Sequence, residues 1–114
     1  MNVTLGIFSG RRDPEWQVLT SAPNYTKIVR HLDVARSAGF IYRHRHMPPR
    51  LGYKGFLVQD TAEENAEPEL IIGPHTKQLQ QLLLKTIPDG VLSEDLCKRI
   101  SEEIDSGTVT AGGT

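Results

Sequence analysis

The spacing of hydrophobic and polar positions changes several times along this chain, and each change marks an element. Val3, Leu5 and Ile7 alternate with small or polar neighbours, which predicts a strand over residues 3–8 with Phe8 on the other face. Tyr25, Ile28, Val29, Leu32 and Ala35 recur at the spacing of one helical stripe. Lys27, Arg30, Asp33 and Arg36 take the wet face of that helix, and Gly39 is its natural stop. Thr20 or Ser21 is the expected cap, with Pro23 tolerated in the first turn.

Phe40 to Met47 alternates as a strand, placing Phe40, Tyr42, His44 and His46 on one side before Pro48-Pro49 forces an extended loop. Tyr53 to Gln59, rich in aromatic and β-branched residues, predicts another strand. Gly55 inside it marks a bulge or a close backbone contact. Leu70-Ile71-Ile72 reads as the hairpin partner of that strand. Gly73-Pro74 then opens a helix that buries Leu79, Leu82 and Leu83. Ser93 caps a last helix, with Glu94 and Asp95 favourable at its positive end and Leu96, Cys97, Ile100 and Ile104 facing inward.

One stretch has no single period. Ser9-Gly10 is a turn, and Asp13-Pro14 suits a helix start, whereas Trp16 and Val18 alternate as in a strand; one helical turn or a brief strand both fit. The element order predicts an α+β fold, a mainly antiparallel sheet of three to four strands with three helices packed on one face. No linker divides residues 1–105, which form the single domain. The small, polar stretch 106–114 reads as a disordered Gly/Thr tail.

Composition narrows the class. At 114 residues the chain can bury a core without disulfides, and no apolar run approaches the ~20 residues of a membrane helix. The N-terminus lacks the basic and apolar regions of a signal peptide, and the lone Cys97 fits a reducing compartment, so the expected location is the cytoplasm. Charge is divided unevenly. Residues 1–59 hold nine Lys or Arg against three Asp or Glu, while residues 60–114 hold four against eleven. Such a split points to an anionic partner for the basic half, or to two halves whose charged rims complement each other.

Three groups of residues could carry chemistry. Ser9, Gly10, Arg11 and Arg12, if a helix starts at Pro14, would place a hydroxyl and two guanidiniums beside free N–H groups, a pocket for phosphate, sulfate or carboxylate. Arg43, Arg45, Arg50 and Lys54 interleave with Tyr42, Tyr53 and Phe56, a mix that can hold single-stranded nucleic acid. The pI near 6.4 argues against that partner, because nucleic-acid domains are strongly basic. His44 and His46 on one strand face could share a metal, with His75 or Cys97 as a third ligand. Neither G-x-G-x-x-G nor G-x-x-x-x-G-K occurs, so no dinucleotide or nucleotide-phosphate signature is present and the cofactor stays unknown.

A strand followed by Ser-Gly-Arg-x-Asn/Asp-Pro-x-Trp, here Ser9 to Trp16, resembles the opening of a group of small, uncharacterised, mostly bacterial proteins. Some of these also have a later Leu-Gly-Tyr-x-Gly-Phe-x-Val segment, here Leu51 to Val58. This chain has Arg12-Asp13 where the group has Pro-Asn. The resemblance carries no known activity; it implies only that the two segments meet in space.

The reading that follows is a small binding or interaction module. Arg11, Arg12, Arg43, Arg45 and Arg50, with Tyr53 beside them, would face an anionic small molecule or an acidic protein segment. Two other readings stand beside it. One is a metal-dependent enzyme using His44 and His46; the other is an assembly protein, in which an exposed Leu70–Ile72 edge pairs two copies into a homodimer.

Overall fold

The computed structural model describes residues 1–8, 12–60 and 66–112. Its strands are β1 (Asn2–Leu5), β2 (Glu15–Gln17), β3 (Tyr42–Arg43), β4 (Phe56–Gln59) and β5 (Glu69–Ile71). They form one antiparallel sheet in the order β2-β1-β4-β5-β3. The helices are α1 (Tyr25–Ala38), α2 (Lys77–Lys85) and α3 (Glu94–Ser106). The fold is the expected α+β arrangement with one strand more than the three or four anticipated.

Register explains the core. Val3 lies opposite Trp16 and Val58, and Leu5 opposite Phe56, which in turn faces Ile71. Cross-strand partners share a face, so these six side chains form one apolar surface, and all are buried. Ile28 and Leu32 of α1, Leu79 and Leu83 of α2, and Ile100 and Ile104 of α3 complete the core. The Trp16 indole Nε1–H donates to Thr86 Oγ1 at 2.8 Å, tying β2 to the end of α2.

The ambiguous stretch is a strand and not a helical turn. Asp13 does not cap a helix; its Oδ1 accepts the N–H groups of Ile7 and Phe8 at 3.1 and 2.8 Å and so closes the connection between β1 and β2. Helix α1 begins after Asn24, whose side chain makes no capping bond, and so later than a cap at Thr20 or Ser21 would start it, because residues 20–24 are spent in a tight turn in which Tyr25 N–H donates to Ala22 O. Gly39 ends it in the left-handed conformation, φ 78°, as its position suggested. Ser93 Oγ accepts the Leu96 N–H at 3.2 Å and caps α3.

The strand expected over Phe40–Met47 is cut to Tyr42–Arg43, and His44–His46 form a single 3₁₀ turn. Tyr42 and Arg43 pair with Leu70 and Glu69, so β5 is flanked on both sides. Leu70–Ile72 is therefore not an exposed edge; the edges are the short β2 and β3. Gly55 precedes β4 at φ 97°, and a Cβ there would sit 2.8 Å from Ile71 O, which accounts for the glycine.

The segment expected to be a disordered tail lies against the fold as far as it is described. Val109 is buried, and Gly112 N–H donates to His46 O at 2.6 Å. Val109 in the core, with Ala111 packed against it, holds an otherwise polar sequence in place. The strand that precedes the Ser9–Trp16 segment lies beside the Leu51–Val58 segment. Gly6 and Lys54–Gly55 exchange backbone hydrogen bonds of 2.9 and 2.7 Å, and Lys54 Nζ donates to Phe8 O at 2.9 Å.

Candidate functional site

Helices α1 and α2 pack side by side and leave a groove between their outer faces. Lys27, Arg30 and His31 stand on α1 at i, i+3 and i+4, a spacing that puts all three on one side of the helix. The adjacent face of α1 is committed to the core through Ile28, Leu32 and Ala35. On α2 the same division sends Leu79, Gln80, Leu83 and Leu84 inward and leaves Lys77, Gln81 and Lys85 on the groove. With Gln78, Leu82 and Asp105 these six side chains line an open cavity of about 500 Å³.

The electrostatics of this groove are one-sided. Lys27, Arg30, Lys77 and Lys85 make no ion pair among the described residues. The carboxylate on the groove is Asp105 of α3, whose Oδ1 accepts Gln81 Nε2–H at 3.1 Å. Gln81 also donates to Ser101 O and accepts from Ser101 Oγ, both at 3.0 Å, so the amide holds α2 against α3. A second cavity of about 240 Å³ continues from the first past His31, Lys77 and Gln78. Its walls turn apolar, with Val34, Ala35, Phe40, Pro74 and Leu79, and the His75 imidazole stacks on the Phe40 ring at 4.3 Å. Ammonium, guanidinium and amide groups donate hydrogen bonds and positive charge. Together they can hold an anion.

The residues singled out from sequence fall elsewhere. Ser9, Gly10 and Arg11 lie outside the described residues. Arg12 is exposed near Asp13, Glu15 and Gln17, beside β2, and no helix begins there. Arg43 reaches Glu67 at 4.0 Å and Arg50 pairs with Glu103 at 3.2 Å, while Arg45 is exposed. Arg36 Nε donates to Glu69 Oε2 at 2.8 Å. Each of these three pairs joins a cation of the first half to a carboxylate of the second. Complementary rims thus account for part of the charge split, although exposed pairs contribute only about 0–1 kcal/mol each.

Tyr53 is buried and not on a surface. Its hydroxyl donates to Gln80 Oε1 at 2.7 Å, and Gln80 Nε2 donates to Gly73 O at 2.8 Å and Thr76 Oγ1 at 2.9 Å. His44 and His46 do not share a strand face. Two positions apart on a 3₁₀ turn of three residues per turn they diverge, and His44 is exposed while His46 is half-buried. His75 is engaged with Phe40. Among the described residues no three His, Cys, Asp or Glu side chains are placed to hold a metal ion. Cys97 is half-buried on α3.

Lys27 and Arg30 are legible in sequence as solvated positions of their helix, but nothing in either helix alone brings the groove cations together. One signal was available: Lys77 to Lys85 contains two lysines and no acid. Comparison with known proteins adds no assignment: no family model, curated protein or solved structure matches this chain.

Proposed function

We propose that this protein is a small binding module that takes an anionic partner in the groove between α1 and α2. The observation that carries the reading is the convergence of Lys27, Arg30, Lys77 and Lys85 from two helices on one cavity, unpaired among the described residues. Like charges held close repel one another, and a bound anion relieves that repulsion. The basic surface that matters is therefore α1–α2 and not the arginines at 43, 45 and 50, two of which are already paired.

Heparin is a suitable polyanionic probe. Binding should weaken steeply between low and physiological salt, as expected where exposed charges supply the attraction. The triple variant Lys27→Glu, Lys77→Glu, Lys85→Glu should lose heparin binding, and Arg43→Ala with Arg45→Ala should keep it. Equal binding by the triple variant and the native chain would refute the reading.

A further inference from the structure

Resting on that reading, we infer that the groove's partner is an acidic protein segment carrying an apolar anchor side chain beside its carboxylates. The two joined cavities differ in chemistry along their length. Lys27, Arg30, His31 and Val34 occupy successive positions of one stripe on α1, so the cationic end passes into the apolar end within about 10 Å at 1.5 Å per residue. Val34 is 65% exposed, an apolar side chain left in water on a cavity whose wall also includes Phe40, Pro74 and Leu79 beside the polar His75, Thr76 and Gln78. A ligand made of charge alone would leave that end uncovered.

The same layout separates protein from nucleic acid. A nucleic acid places a phosphate at every nucleotide, and domains that bind it are basic well beyond one groove. This chain carries a net charge of −1, and Asp105 stands at the edge of the groove. A polyanion running the full length of the groove would pass the Asp105 carboxylate. A short acidic segment need not, and its apolar side chain has the Val34–Phe40 cavity to enter. Carboxylates then meet Lys27, Arg30, Lys77 and Lys85, while the anchor covers Val34. This is the charge-complementary form of groove recognition, with specificity drawn from the apolar pocket.

The experiment uses the full chain and three fluorescein-labelled probes in anisotropy titrations. The first is a synthetic peptide with four glutamates flanking one leucine; the second has that leucine replaced by serine; the third is a single-stranded oligothymidylate of equal charge. The leucine peptide should bind about tenfold or more tightly than the serine peptide, the effect expected for covering one apolar side chain. Val34→Asp should remove that advantage, and because Val34 is exposed the variant keeps its core; an unchanged unfolding curve verifies this. Equal binding of all three probes would overturn the acidic-segment inference while leaving the anion-binding groove standing. Preference for the oligothymidylate would overturn it in favour of nucleic acid. No binding of any probe at low salt would refute both.

Discussion

Replacing Tyr53 by phenylalanine removes a single oxygen, and the surrounding network makes the cost calculable. Tyr53 is 0% and Gln80 1% exposed, so no water reaches the bond between them. The Tyr53 hydroxyl is the donor to Gln80 Oε1, and the Gln80 amide cannot turn over to compensate, because Nε2 already donates to Gly73 O and Thr76 Oγ1. Tyr53→Phe therefore strands a buried acceptor, with an expected loss of about 1–3 kcal/mol. Urea unfolding followed by far-UV circular dichroism measures it, with the slope required to stay unchanged. Burial, with a smaller contribution from Glu103, also holds the Tyr53 hydroxyl well above its ordinary value of 10. In the unfolded chain the phenol ionises near 10, while the native protein keeps its proton. Stability from this group is thus complete below pH 10 and falls as pH rises toward the native value. The difference in stability between native chain and Phe variant should shrink above pH 10. A Phe variant within 0.5 kcal/mol (roughly the scatter of neutral surface changes) of the native chain, or a difference independent of pH through 11, would refute this account of the network.

Two further outcomes follow from backbone and cap geometry. Gly55→Ala forces a Cβ to 2.8 Å from Ile71 O at φ 97°, so strain and overpacking together should cost about 2–5 kcal/mol in urea unfolding; native stability would contradict the observed close approach. Ser93→Ala removes the acceptor of the Leu96 N–H and should cost about 1 kcal/mol, with Ser93→Asp retaining most of it by the same measurement.

Elements fixed by local chemistry were legible in the chain. The stripe through Ile28, Leu32 and Ala35, the Gly39 stop and the Ser93 cap need no distant partner, and each appears where its spacing placed it. Residues 40–47 show the limit of such reading. Their alternation fits a strand, but only Tyr42 and Arg43 have a neighbour to pair with, and the chain turns at His44. Tyr53 illustrates the same limit for the site. Its neighbours in sequence suggested an aromatic among cations, while its true partner, Gln80, lies 27 positions away. The groove cations have the same origin, since Lys27 and Lys77 become neighbours only when α1 and α2 pack. The glycines and threonines of the tail suggest disorder, yet Val109 and Ala111 seat it on the core and Gly112 bonds to His46.

The strand order also sets a schedule for synthesis. β1 joins β2 through residues 6–14, and β4 joins β5 through residues 60–68, but the seam between these pairs matches Asn2 with Gln59. Roughly half of the chain lies between those two residues, so the loop that closes the seam is long. On the ribosome, β1 gains its second neighbour only after Gln59 has emerged. Until then one side of β1 presents unpaired N–H and C=O groups, the kind of edge on which another nascent chain can pair. What is the middle of the finished sheet is, during its making, the surface in need of protection.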